Sequence, residues 1–356
     1  MRRALRLAER GRGRVNPNPM VGAVVVRKGR VVSEGWHHAA GEPHAEAVAL
    51  AGAGNRARGA TMYVTLEPCA HTGRTPPCVD ALGAAGIRRC VVAARDPHAI
   101  VNGRGIRRLR AMGIQVDVGT LADQVRRQLA GYLATHTLGR PRVTLKLAVS
   151  LDGRIAPAGG FARHGAGRWL TGPLARRAGH RLRALADAVV VGAGTVRIDD
   201  PRLTARGVSA KRQPLRVVCD TRLRLPENLR LFRAGSGTVV ACCGLKAPIA
   251  RERALERLGV TVWRLPATAR GVSPRRLLER LAREGCHDVL LEGGAALATS
   301  WLAAGVVDRI ALFTAPYVLG AGGIPWPGQL RRAWRGQVLA HGRAGQDVYA
   351  LIEKGH

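Results

Sequence analysis

At 356 residues the chain is long for one hydrophobic core and sufficient for two domains, and its 46% apolar content is that of a globular protein with few aromatics (4%). No stretch approaches the ~20 consecutive apolar residues of a membrane span, and an odd count of seven cysteines, two of them adjacent (Cys242 and Cys243), does not suggest a disulfide framework. The formal charge of +33 is spread as arginine over nearly every segment, with only five lysines and no basic block. Such a surface draws in anionic small molecules and adsorbs nucleic acid non-specifically at low salt, without specifying a nucleic-acid site.

In chain order, residues 2–12 read as an amphipathic helix closed by Gly11 and Gly13; with no apolar leader, a cytoplasmic setting is expected. Asn16-Pro17-Asn18-Pro19 forms a loop before a buried strand, Val21 to Arg27, and Lys28-Gly29 turns a hairpin into 31–34. A helix is expected over 44–53, a strand over 61–66 ending just before Cys69, and a second helix over 79–85 after Pro76-Pro77. Strands at 90–94 and 114–118 flank a helix near 105–112, and 121–137 reads as one closing helix before a Gly139-Arg140-Pro141 linker. Alternating strands and helices make residues 1–140 a three-layer α/β domain.

The chemistry of this half lies in residues 43–78. His44, Cys69 and Cys78 are one imidazole and two thiolates, a donor set for Zn²⁺ that leaves a fourth position for water. Glu46, two residues on, is placed to carry that water's proton. His-x-Glu followed by Pro-Cys and a later Cys is the signature of zinc-dependent nucleobase deaminases. The step between the cysteines, across residues 70–77, is longer than usual, but ligands need to converge in space and not in sequence.

Residues 141–356 begin a second α/β unit. Strands are expected at 143–149, 188–191, 215–219, 238–242, 289–292 and 309–313, with helices at 173–185, 249–257, 274–283 and 295–304. Gly192-x-Gly194 after a strand invites a Rossmann reading, which fails: the third glycine is missing, and Asp199 and Asp200 follow within a few residues instead of ~20. Glu292-Gly293-Gly294 opens a helix whose first N–H groups can hold a phosphate. Lys146, a lysine within a strand, suggests a cleft, and Arg183 and Arg206 are candidate phosphate clamps.

These residues resemble one family over nearly the whole chain: the bifunctional riboflavin-biosynthesis deaminase–reductases. The resemblance rests on Asn-Pro-Asn-Pro-Met-Val-Gly at 16–22, Gly-Glu-Pro-His-Ala-Glu at 41–46 and Thr-Leu-Glu-Pro-Cys-Ala-His-Thr-Gly-Arg-Thr-Pro-Pro-Cys at 65–78. In the second half it rests on Lys-Leu-Ala-Val-Ser-Leu-Asp-Gly at 146–153, Trp-Leu-Thr-Gly at 169–172, the 194–206 stretch and Glu-Gly-Gly at 292–294. It implies a cytidine-deaminase-like domain at 1–140 and a dihydrofolate-reductase-like α/β domain at 141–356. The first would hydrolyse an amine from a diamino-phosphoribosylamino-pyrimidinone, using zinc, Glu46 and a base pocket lined by Asn16. The second would use NADPH to reduce the product's ribosyl group to ribityl.

By resemblance, cofactor contacts fall on Ala148, Trp169, Thr195, Asp199, Thr221 and the segment Gly294, Ala295, Ala296, Leu297, Ala298, Thr299 and Ser300. Substrate contacts fall on Gly167, through its backbone, and on Lys146, Arg183, Leu203, Arg206 and Glu292. Which of Asp199 and Asp200 faces the cofactor stays open. The resemblance also implies a homo-oligomer, with no membrane partner. A competing reading is a lone nucleobase or tRNA deaminase with an appended binding domain, which would bind RNA salt-sensitively and oxidise no NADPH.

Overall fold

The computed structural model describes all residues except 74–75, 158–159, 162–168, 234, 236 and 356. The chain divides into two compact units, Met1–Gly139 and Arg140–His356.

The first unit runs α1 (Arg2–Glu9), β1 (Gly22–Arg27), β2 (Arg30–Trp36), α2 (Ala45–Ala53), β3 (Thr61–Leu66), α3 (Cys78–Ala84), β4 (Arg89–Ala94), α4 (Arg104–Ala111), β5 (Gln115–Val118), α5 (Ala122–Gln128) and α6 (Ala130–Leu138). Its sheet has the order β2-β1-β3-β4-β5, antiparallel on the β1 side and parallel from β3 to β5. Side-chain alternation sorts the strands' residues onto two faces. Ala23, Val25, Met62, Val64, Cys90 and Val92 pack under α2, α3 and α4, while Val24 meets α1 and Leu66, Ala93 and Ala94 meet α5 and α6. This is the expected three-layer domain. The single closing helix expected over 121–137 is instead broken at Leu129, whose backbone leaves helical geometry (φ −96°, ψ 11°). Leu129 and Tyr132 are buried with Val125 against the sheet, and Gly131 just past the break favours helix continuity least.

The second unit contains β6 (Arg142–Val149), β7 (Arg154–Ala156), α7 (Pro173–Leu185), β8 (Ala188–Gly192), α8 (Ala193–Asp199), β9 (Leu215–Cys219) and α9 (Arg230–Arg233). It continues through β10 (Val239–Gly244), α10 (Ile249–Glu256), β11 (Thr261–Leu265), β12 (Ala267–Thr268), β13 (Gly271–Val272), α11 (Pro274–Arg283) and β14 (Asp288–Glu292). Last come α12 (Ala295–Ala303), β15 (Arg309–Thr314), β16 (Ile324–Pro325), β17 (Gly336–Ala344) and β18 (Asp347–Lys354).

The main sheet has the order β11-β10-β9-β8-β14-β6-β15-β18-β17. It is parallel from β11 to β15, and β18 and β17 close it as an antiparallel edge. The run from β8 to β11 moves outward, and β14 then returns to the slot between β8 and β6. In open parallel sheets, ligands settle outside the carboxyl ends of strands where the winding reverses. Ala148, Thr195, Thr221, Glu292 and Gly294 lie at or just beyond carboxyl ends of these strands, and Lys146 on β6 is level with Glu292. The Gly192-x-Gly194 stretch after β8 runs into the short helix α8, anchored by buried Val196. The β17–β18 hairpin carried no sequence signal because β17 is exposed along almost its whole length and has no apolar alternation.

Candidate active sites

In the first unit, His44 caps α2 and Cys78 opens α3, so each helix start delivers one ligand. Gly35 lets α2 seat on β2: a Cβ there would lie 2.3 Å from the Ala45 carbonyl. The ligand atoms of His44, Cys69 and Cys78 all lie within 4.8 Å of one another. His44 Nδ1 is 3.2 Å from Cys78 Sγ and 3.6 Å from Cys69 Sγ. Bonds of ~2.0 Å to nitrogen and ~2.3 Å to sulfur place tetrahedral ligands about 3.5 Å apart, close to both His44–sulfur distances, so this donor set fits zinc. The thiols already share one proton unequally. Hydrogen bonding from Cys78, then from His44, draws Cys69 down to about 4, while Cys78 is pushed up by that same bond to the Cys69 thiolate.

Glu46 is 3% exposed, and burial pushes its carboxyl up to about 7, against the pull of the His44 charge. A carboxyl poised there can both take and return a proton near neutrality. The structure adds a relay that sequence reasoning missed. His37, fully buried, donates from Nδ1 to the Pro43 carbonyl (3.1 Å), which leaves Nε2 to accept from Asn18 Nδ2 (3.0 Å). Its ring stands edge-on to that of His44 at 5.3 Å, so the loop holding half-buried Asn16 is tied to the cluster through Asn18. The repeated Asn-Pro pair and Trp36-His37-His38 were the available signals.

A second unforeseen element is the support behind the cysteines. Glu67, 4% exposed, accepts the N–H groups of Asp96 (3.3 Å) and Gly103 (2.9 Å) on Oε2 and of Ile106 (3.1 Å) on Oε1. Gly105 approaches so closely that a Cβ would lie 2.0 Å from the Pro68 carbonyl. Arg108 donates to the Ala70 carbonyl (3.3 Å) and pairs with Asp80 on α3 (2.7 Å). The helix α4 therefore braces both cysteine-bearing segments.

In the second unit, Lys146 and Glu292 are strand-paired neighbours on β6 and β14. Arg183 on α7 grips Glu292 with two hydrogen bonds of 2.6 Å, the bidentate fork a guanidinium forms best. Burial opposes ionisation of Glu292, but the Arg183 charge and hydrogen bonds outweigh it and hold the carboxyl below its ordinary value. Lys146 is lowered, first by burial and then by Arg183, with Glu292 acting against both. Arg183 Nη1 also reaches the Thr204 carbonyl (3.3 Å), and Arg206 Nη1 donates to Thr204 Oγ1 (2.7 Å). His180, one helical turn before Arg183, also meets that carbonyl through Nδ1 (3.2 Å). Lys146, Glu292, Arg183 and Arg206 are thus brought together with a surplus of positive charge, the two arginines meeting at Thr204. Leu203 beside it is buried with a left-handed backbone (φ +56°). His180 and Thr204 were not singled out in the sequence; the one-turn spacing from Arg183 was the missed clue.

Thr195 Oγ1 accepts the N–H of Gly294 (3.1 Å), joining the turn after β8 to the start of α12. Residues 294–297 and Thr299 are accessible there, whereas Ala298 and Ser300 are buried. Trp169 is half exposed, with the Arg176 guanidinium 5.3 Å from its ring. Asp200 is engaged with Arg230, accepting its N–H at 2.7 Å, while Asp199 is exposed at the end of α8. Gly167 lies outside the described residues.

Both units match known families. The RibD C-terminal domain matches residues 141–349, and the cytidine and deoxycytidylate deaminase zinc-binding region matches residues 1–94. The chain belongs to the riboflavin-biosynthesis RibD family. The riboflavin biosynthesis protein RibD of Aquifex aeolicus is 40% identical over 322 residues, spanning 90% of this chain and 87% of that protein. Its Escherichia coli counterpart is 39% identical over 333 residues, spanning 90% and 88%. Among solved structures, Acinetobacter baumannii RibD superposes with a TM-score of 0.87 at 35% identity, covering 99% of this chain and 97% of that one. A diaminohydroxyphosphoribosylaminopyrimidine deaminase/5-amino-6-(5-phosphoribosylamino)uracil reductase from Thermotoga maritima gives 0.85 at 33% identity, covering 100% and 97%. The appended unit of the competing reading is therefore the RibD reductase domain, and the family resemblance read from the sequence holds.

Proposed function

We propose that the chain carries out two consecutive steps of riboflavin biosynthesis. Residues 1–140 form a zinc deaminase acting on 2,5-diamino-6-(5-phosphoribosylamino)pyrimidin-4-one, and residues 141–356 form an NADPH-dependent reductase acting on the resulting uracil. The observation that carries the reading is an open three-ligand His44/Cys69/Cys78 cluster beside a buried carboxyl, Glu46, raised to about 7.

Zinc, held by those three residues, supplies the Lewis acid that makes water nucleophilic near neutral pH. Glu46 takes the proton from the attacking water on its carboxylate and returns it to the departing amine, so one water enters and one ammonia leaves. The Asn18–His37–Pro43 chain fixes the loop on which Asn16 would line the base pocket. In the reductase, NADPH supplies the hydride. Lys146, its ammonium destabilised by burial, gives a proton as the opened sugar's C=N bond is reduced. Glu292 holds sugar hydroxyls, and Arg206, with its neighbour Arg183 tied to Glu292, binds the substrate phosphate. The start of α12 and the Thr195–Gly294 link receive the cofactor. Among the described residues, no helix is long and apolar enough to cross a membrane. A homo-oligomeric enzyme in the cytoplasm is the setting we infer.

The test is mass spectrometry of the diamino substrate incubated with zinc-loaded protein, with and without NADPH. Exchange of an amine for an oxygen without cofactor, plus two further hydrogens with NADPH, is the expected result. No change in either tube overturns the reading.

A further inference from the structure

His180 holds a position in the second unit that none of the chemistry above uses. It stands on α7 between the two arginines that meet at Thr204, with Arg183 one turn further along the helix and Arg206 across from it. Its Nδ1 has two partners that exclude each other. The Thr204 carbonyl, 3.2 Å away, can only accept, and the Arg206 backbone N–H, 3.3 Å away, can only donate. A neutral ring protonated on Nε2 takes the Arg206 N–H, whereas a ring protonated on Nδ1 donates to Thr204. Nε2 has no hydrogen-bond partner among the described residues, and the ring is half-buried, so an anion can reach it.

The charges around this ring are mostly positive. Arg183 follows it on α7, and Arg206, with Arg202 nearby, stands on the stretch that carries Thr204. Lys146 on β6 passes close to α7 just before it: a Cβ on Gly179 would lie 3.7 Å from the Lys146 Cε. Arg230 on α9 adds to the field at Arg206 and is paired with Asp200 (3.2 Å). The carboxylate that faces the ring, Glu292 on β14, has both oxygens engaged by Arg183 at 2.6 Å. Burial, then Arg183 and Arg206, hold the imidazole below its ordinary value, with the Thr204 carbonyl and Glu292 pulling the other way. The free site therefore keeps His180 neutral near pH 7. A phosphate monoester, dianionic above about pH 6, reverses the local field when it docks beside Arg206 and favours the imidazolium. The added proton on Nδ1 then turns to the Thr204 carbonyl. That releases the Arg206 N–H for an oxygen of the anion and leaves a charged Nε2–H donor beside it.

We propose that His180 is the third cation of this phosphate-binding site, and that it takes up one proton from solvent as the substrate's phosphate docks on Arg206. The inference rests on the reading of this cluster as the reductase's substrate site, but its test does not need turnover. Ribose 5-phosphate, the sugar-phosphate portion of the substrate, is titrated calorimetrically into the full-length zinc-loaded protein near neutral pH. Two phosphate-free buffers of different ionisation enthalpy are used, so that the difference in heat counts the protons exchanged. The wild type is expected to take up about half a proton or more per site, and its affinity to fall by up to ~10-fold per pH unit on the alkaline side of neutrality. His180→Gln keeps an N–H donor in place of Nε2–H but cannot titrate. It should bind without proton uptake and with a flat alkaline profile, circular dichroism serving as the control for folding. In turnover, KM for the uracil substrate rises with pH in the wild type and not in the variant, while kcat keeps the same pH profile in both. A wild type that fails to bind ribose 5-phosphate, or binds it without proton uptake, overturns the proposal. So does a folded variant that keeps the uptake, which would assign the proton to Lys146. Uptake that depends on His180, in a protein that does not oxidise NADPH with the uracil substrate, leaves this site standing and overturns the reductase reading instead.

Discussion

Replacing Glu67 by Gln tests whether the brace behind the cysteines governs the metal site. The carboxylate serves three backbone donors, two on Oε2 and one on Oε1. An amide keeps only one oxygen. Its better placement leaves that oxygen with Asp96 and Gly103 and turns an NH₂ group against the Ile106 N–H. One charge-assisted hydrogen bond is lost and two buried donors face each other, a cost of about 1.5–3 kcal/mol. The strain falls on the Pro68–Cys69 segment, because Gly105 already touches the Pro68 carbonyl and leaves α4 no slack. Zinc affinity should then drop roughly 10–100-fold, the size of effect seen when groups that orient metal ligands are altered. Competition against a chromophoric chelator measures it, with circular dichroism as the control for folding. Gly105→Ala should act in the same direction. A folded Glu67→Gln protein with wild-type zinc affinity would refute the idea that α4 positions Cys69.

Glu46→Gln should retain zinc by metal analysis and abolish deamination, while NADPH-dependent reduction of the uracil substrate continues; unchanged deamination would remove Glu46 from proton transfer. Lys146→Ala should cut reduction and spare deamination, read from the same mass spectra. Glu292→Gln leaves the Arg183 guanidinium buried without its countercharge and should destabilise the second unit by about 3–5 kcal/mol in denaturant unfolding. That difference should depend on pH. Because the Glu292 carboxyl is held below its ordinary 4.5, the pair's stabilisation is complete above that value and disappears as pH falls through the lowered one. Melting curves of wild type and variant should therefore converge on acidification, and a constant gap would refute the assignment.

The zinc site was legible in the sequence because its residues sit in two short, ordered motifs whose types alone specify the chemistry. The strands carrying them were legible from apolar runs. Glu67 was not, since a carboxylate beside Pro-Cys gives no hint that it fastens residues some thirty to forty positions later. Asn18 and His37 were likewise hidden, because their link depends on how a loop folds back over β1. In the second unit the sequence named Arg183 and Arg206 together, and only the fold separates them, binding one to Glu292 and leaving the other exposed on Thr204. The break at Leu129 escaped because periodicity continues through it.

The late return of β14 into the slot between β8 and β6 also constrains how the second unit can be made. Until residue 292 has been synthesised, β6 and β8 lack their common neighbour, and Lys146 has no carboxylate beside it. Pairing of β6 with β14 joins residues 146 positions apart, as in the bond from Arg142 to Asp288. Such distant pairings are slow to form and leave apolar strand edges uncovered meanwhile. A nascent chain would thus carry a completed deaminase well before it carries any reductase centre, and a fragment ending before β14 would have no reductase centre at all.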